Sequence, residues 1–362
     1  MLPLHLILTA AIPLCVQPAG PAHVPLPAEL SGTLHGTPYK IRVPANWNGT
    51  LLVYAHGAAS AGVEVSPPAF PPGSPTLEER LLSNGYALAG SFFEGLKDAG
   101  QRTLSLTGFF NGAVGHPDRT IVWGLSGGGW LALDLIENHH GIYDAAIAVA
   151  PVAAGHVEDA DFELRYGLAY AAAFGWPSQW WGPLEDLRDD LYGNEATLIM
   201  PIFQWPTPQN YGRWEFVRLV MKIPPSLWWD VEPSLGLPGF ALDGWKATAL
   251  RSALEREFRG PVAQNVGAEY ALTPDEMAYL SSLGVNAGQL LAWMNEHADI
   301  TASRPARNHL AHYGTPEGDL RRPLLTMHGV YDPMLPTSHE ALYGALVETA
   351  GHRDQLVQVY AR

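Results

Sequence analysis

The chain has 362 residues, 47% of them hydrophobic and 16% charged, a composition that buries a full core and is too apolar for a disordered chain. Its 36 acidic and 21 basic side chains leave a formal charge of -15, which excludes the basic footprint that nucleic acid or an anionic membrane surface requires. Cys15 is the single cysteine, so neither a disulfide framework nor a multi-thiolate metal site is available.

Residues 2–16 form an apolar run interrupted by Pro3, His5 and Pro13, and the small residues Gly20 and Ala22 follow it. This is the pattern of a secretory leader over residues 1–22, and it implies a secreted or periplasmic mature chain without an integral membrane segment. Cys15 lies inside that leader, so the mature chain offers no thiol and nucleophilic chemistry falls to a hydroxyl.

After the leader, residues 31–44 alternate apolar and polar positions around Gly32 and Gly36, as a hairpin of two edge strands does. Asn46-Trp47-Asn48-Gly49 is a turn, and residues 50–54 are a continuous apolar strand ending at Ala55-His56-Gly57-Ala58. A Pro-rich loop over 65–75, a helix over 76–83 closed by Asn84-Gly85, a strand over 86–91 and a helix within 98–112 follow. Residues 119–124 then read as a buried strand that breaks at Gly124-Leu125-Ser126-Gly127-Gly128 and resumes as a helix from Trp130 to near Gly141. A strand over 144–150 stops at Pro151. Alternating strands and helices predict a mostly parallel sheet flanked by helices, with residues 28–151 as the first part of a core.

The rhythm changes over residues 152–322, where helical periodicity, Pro-containing breaks and nine of the twelve Trp residues predict an inserted helical cap. Helices are expected there over 184–191, 214–221, 244–258, 273–282 and 287–297. The cap tryptophans, Trp180 and Trp181 among them, are expected to pack helices more often than to line a pocket. Residues 323–362 restore the core with a strand over 323–328, a helix over 337–350 and a final strand over 355–360.

The break at Ser126 has a physical logic. A serine on a sharp strand-to-helix turn needs glycine two residues before and two after it, because side chains there would collide. The turn lifts the hydroxyl above the sheet, and the helix N-terminus leaves backbone N–H groups free for an oxyanion.

Three motifs in order resemble the α/β-hydrolase superfamily: Val53-Tyr54-Ala55-His56-Gly57-Ala58, the turn at Ser126, and Leu324 through Pro333 with Asp332 after a buried strand. The resemblance covers nearly all of the chain outside the leader and the cap. It implies an α/β-hydrolase fold with a large helical cap insertion, Ser126 as nucleophile, Asp332 as the acid, and the backbone N–H groups of Ala58 and Gly127 as the oxyanion hole. His56 is then a shaper of its turn rather than a proton carrier. The implied activity is hydrolysis of a carboxylic ester, aromatic or medium-chain, through an acyl-enzyme, on a small-molecule or polymeric substrate and without metal or organic cofactor. Amide or peptide cleavage on the same fold is the alternative, as is a non-catalytic binding protein lacking the base. In this superfamily the basic histidine follows the last strand, so it is expected just beyond Arg362. His339, His352 and the cap residue His156 are weaker candidates.

Overall fold

The computed structural model describes residues 24–57, 62–69, 74–177, 184–187, 204–232, 237–330, 332 and 334–361. The expected leader, Ala58, Trp180 and Trp181 lie outside them.

Eight strands form one sheet. The hairpin β1 (Ala28–Leu34) and β2 (Thr37–Val43) is antiparallel, and β2 pairs antiparallel with β4 (Ala87–Ser91). All later pairings are parallel, through β3 (Thr50–Ala55), β5 (Arg119–Leu125), β6 (Ala145–Val149), β9 (Leu324–Gly329) and β10 (Leu356–Ala361). The order across the sheet is β1-β2-β4-β3-β5-β6-β9-β10. The α/β-hydrolase fold expected from the motifs is therefore the fold observed.

Alternation along the central strands feeds two faces. Leu52, Tyr54, Leu88 and Trp123 pack with α1 (Leu77–Ser83) through Leu81 and Leu82. Their neighbours Leu51, Val53, Ala87, Ala89 and Val122 pack with α2 (Leu96–Ala113) and α3 (Gly127–Asn138). Thr76 starts α1 through a reciprocal capping box with Glu79, which is why that helix begins where its sequence predicts.

Between β6 and β9 the described residues form helices α4 (His156–Phe174), α5 (Tyr211–Met221), α6 (Pro225–Trp229), α7 (Gly239–Trp245), α8 (Arg251–Phe258), α9 (Pro274–Ser282), α10 (Ala287–Glu296) and α11 (Arg304–Gly314). A short hairpin, β7 (Val231–Glu232) with β8 (Leu237–Pro238), accompanies them. A π-helical turn, Lys246–Leu250, joins α7 to α8. These helices bury their own aromatic cluster, with Trp214 and Trp228 fully enclosed, so those tryptophans are packing residues. Finally α12 (Ser338–Thr349) links β9 to β10.

Three helices between β6 and β9, α4, α6 and α11, are absent from the helices expected of the sequence, and α7 overlaps the helix expected over 244–258 only at its end. Helix α4 is buried around most of its circumference, which erases the polar stripe that periodicity needs. Over 184–191 a helix was expected, yet Leu184 and its neighbours form a turn, and 188–191 lie outside the described residues. No helix among the described residues is long and apolar enough to cross a membrane.

Candidate active site

Ser126 sits at the junction of β5 and α3 with φ 59° and ψ -122°, a left-handed conformation that a non-glycine residue adopts only when its surroundings enforce it. Those surroundings are identifiable. The Ser126 N–H donates to the Val149 carbonyl (2.9 Å), and the Ser126 carbonyl accepts from Trp130 N–H (3.0 Å), so the turn is pinned to β6 on one side and to α3 on the other. The flanking glycines are required by contact: a Cβ on Gly124 would stand 2.3 Å from the Gly128 carbonyl oxygen, and one on Gly128 would stand 2.1 Å from that of Ala55. A Cβ on Gly127 would meet nothing within 4 Å. Gly127 is the first residue of α3, so its N–H has no intrahelical acceptor. Among the described residues, no side chain hydrogen-bonds the Ser126 hydroxyl.

The Gly57 segment lies directly against this turn, since a Cβ on Gly57 would be 3.2 Å from the Leu125 carbonyl and 3.5 Å from Ser126 Cβ. His56 fixes the segment. Its Nδ1 donates to the Gly57 carbonyl (2.7 Å) and its Nε2 accepts from Phe93 N–H (3.1 Å), while the ring stacks on Phe93 at 3.9 Å. One nitrogen donating and the other accepting describes a neutral imidazole, and burial lowers its pKa accordingly. His56 thus shapes its turn, as its sequence context suggests. Ala58, the other expected oxyanion donor, lies outside the described residues.

Asp332 follows β9, at the same end of the parallel sheet as Ser126 and with only β6 between their strands. Its Oδ1 accepts from the N–H groups of Met334 (2.8 Å) and Leu335 (2.9 Å), while its Oδ2 makes no hydrogen bond among the described residues. His328, in β9, stands 3.7 Å from that Oδ2, and it holds the same loop by donating Nε2–H to the Leu335 carbonyl (2.7 Å). Its Nδ1 faces Glu340 at 3.3 Å. Burial pulls the His328 pKa down, but the Glu340 carboxylate, the Leu335 carbonyl and Asp332 outweigh it and the net direction is up.

The candidate bases make other contacts. His352 precedes β10, at the far end of the sheet, and pairs with Asp319 at 2.9 Å. His156 opens α4 and lies edge-on to Trp130 at 4.7 Å, with its Nε2 buried and, among the described residues, unpartnered. His339, in the first turn of α12, is likewise buried, and its Nδ1 has no partner among the described residues. Burial lowers both of these pKa values to about 4. Neither ring is hydrogen-bonded to Ser126 or Asp332. Strand β10 brings the chain to Ala361, whose carbonyl accepts from Val330 N–H (2.8 Å) beside the Asp332 loop.

A buried charged cluster that sequence reading missed adjoins that loop. Lys246 Nζ donates to Asp159 Oδ1 (2.9 Å) and to the Met334 carbonyl (2.8 Å), and Glu163 lies 4.0 Å away. Asp159 and Glu163 sit four apart on α4, with Asp243 on α7 close enough to perturb the group. Burial, reinforced by the neighbouring carboxylates, pushes the Glu163 and Asp243 pKa values well up, so Asp159 is the carboxylate that balances the ammonium. The available signal was the helical spacing of Asp159 and Glu163, obscured by Glu158, Asp161 and Arg165 in the same stretch.

No family model matches the chain. An o-phthalyl amidase of Xanthobacter agilis is 26% identical over 185 residues, which span 48% of this chain and 38% of that protein. The match thus extends over less than half of the amidase's length. Among solved structures, an esterase from Aspergillus oryzae aligns with 91% of this chain and 71% of its own at 13% identity and a TM-score of 0.44. The Pyrococcus horikoshii acylaminoacyl peptidase aligns with 93% of this chain and 36% of its own at 11% identity and a TM-score of 0.42.

Proposed function

We propose that this α/β-hydrolase-fold chain is a serine hydrolase that cleaves carboxylic esters through an acyl-enzyme on Ser126. The observation that carries the reading is the strained Ser126 backbone, held at φ 59° beside the N-terminus of α3. A strained residue over-determined by its neighbours marks a functional position more often than a merely structural one. In the reaction a base removes the Ser126 proton, Oγ attacks the carbonyl carbon, and the oxyanion that forms is stabilised by the Gly127 N–H at the α3 N-terminus. Collapse expels the alcohol with a proton from the base, and water repeats the sequence on the acyl-enzyme. Asp332 has one oxygen held by two backbone N–H groups while its Oδ2 makes no hydrogen bond among the described residues, an arrangement suited to orienting an imidazolium.

Cleavage of an amide by the same chemistry is the second reading, favoured by the identity with the o-phthalyl amidase. A fluorophosphonate probe followed by peptide mapping tests the nucleophile. The full-length protein is expected to be labelled at Ser126 and Ser126→Ala to be inert; labelling that persists in folded Ser126→Ala, or a folded parent that never reacts, overturns the assignment. Parallel assays on a 4-nitrophenyl ester and the matching anilide separate ester from amide preference.

A further inference from the structure

Two residues beyond Asp332, the Met334–Leu335 peptide group is bonded at both ends. Its N–H, from Leu335, donates to Asp332 Oδ1 (2.9 Å), and its carbonyl, from Met334, accepts from Lys246 Nζ (2.8 Å). Lys246 belongs to the π-helical turn of the cap, and its side chain is 3% exposed. The second ammonium contact, to Asp159 on α4, comes from a different cap helix, so the charge is fixed from two directions before it touches the loop. Hydrogen bonds in a chain polarise one another, and a cation on the carbonyl makes the opposite N–H a stronger donor. π-helical turns recur at functional sites because the extra residue re-aims a side chain. Here it aims an ammonium out of the cap and onto the core loop.

We propose that Lys246 is a positioning residue: through the Met334–Leu335 peptide it locks Asp332 Oδ1 and so keeps Oδ2 turned toward the base, making the cap insertion a structural part of the catalytic acid. The inference rests on the assignment of Asp332 as the acid. It explains why a buried ammonium is kept at the junction of cap and core, where an apolar side chain of the same length would fill the space but leave the Met334 carbonyl without its partner.

The test uses the full-length protein. Lys246→Met alone leaves Asp159 unbalanced, so it is paired with Lys246→Met/Asp159→Asn, which removes both charges with little change of volume. Two readouts are taken on variants whose circular dichroism matches the parent: the rate of fluorophosphonate labelling at Ser126, and hydrogen exchange of the peptide covering residues 332–338. The charge-free variant is expected to label at least about tenfold more slowly in the Asp332 background and less than about twofold more slowly in the Asp332→Asn background, because a residue acting through Asp332 has nothing left to act on once it is gone. Exchange of the Leu335 amide is expected to rise about tenfold while that of β3 stays unchanged. Lys246→Arg, which retains the cation and donors, is expected to recover part of the rate. Equal slowing in both backgrounds, or unchanged labelling and unchanged loop exchange in a folded charge-free variant, overturns the proposal. If the parent is not labelled at Ser126 the nucleophile assignment fails instead, and loop exchange alone then decides the anchoring of Asp332, with an unchanged rate refuting it.

Discussion

At the scale of single residues, the three glycines around Ser126 do two different jobs. Gly124 and Gly128 are fixed by backbone contact, whereas Gly127 has open space where its Cβ would stand. The motif by itself cannot tell these apart, and the distances make the difference testable. Gly128→Ala is expected to cost about 3 kcal/mol or more, because the new methyl would fall 2.1 Å from the Ala55 carbonyl oxygen and neither backbone can yield cheaply. Gly127→Ala is expected to change stability by less than about 1 kcal/mol, since alanine is also the better helix former. Urea denaturation of both variants settles the pair, and similar losses would show that the N-terminus of α3 is more crowded than its geometry implies.

At the scale of elements, the helices between β6 and β9 are tied to the helices and loops flanking the sheet by charged side chains seated on helix ends and loops, in addition to apolar contact. Glu257, in α8, places its carboxylate on the first N–H groups of α2, at 3.2 Å from Leu96 N and 2.9 Å from Lys97 N, while the Lys97 ammonium returns to the Glu257 carbonyl. Gly95 makes the approach possible, because a Cβ there would stand 2.7 Å from that carboxylate. A carboxylate at a helix N-terminus satisfies orphan donors and meets the positive end of the dipole. Glu257→Gln is therefore expected to cost about 1 kcal/mol in urea denaturation, with faster exchange of the first-turn amides of α2. Unchanged exchange at Leu96 and Lys97 would mean that water serves those donors as well as Glu257 does. Residue periodicity disclosed α2 and most of α8, but the bond between them links positions about 160 apart and has no local signature.

At the scale of the whole molecule, buried histidines make stability depend on pH. His156 faces Asp159, Lys246 and Trp130, and burial takes its pKa from 6.5 to about 4 against the weaker upward pull of Asp159. It is neutral in the folded chain and gains a proton on unfolding below its ordinary pKa. Its stabilising contribution is thus complete above pH 6.5 and is lost as pH falls toward 4. His339 follows the same course, while Glu163 and Asp243, with raised pKa values, oppose it. A difference between variants isolates the one group. Between pH 7 and pH 4, the stability of His156→Gln relative to the parent is expected to rise by roughly 3 kcal/mol, the equivalent of the lowered pKa. A difference that stays constant over that range would show that His156 takes up its proton as readily in the folded protein as in the unfolded chain.

The sequence by itself determined the sheet, its alternation with helices, and the places of Ser126 and Asp332 at strand ends, because those features are written in short-range patterns: period-two burial, capping boxes and glycines around a turn. It also indicated that His56 shapes a turn and that His352 lies at the wrong end of the sheet. The tertiary structure alone decided which cap helices surround the aromatic cluster, how Lys246 is balanced by one of three nearby acids, and which peptide group holds Asp332. These are contacts between elements far apart in the chain. Their energies come from burial and from charge pairing in a low-dielectric interior, and both exist only once the chain has folded.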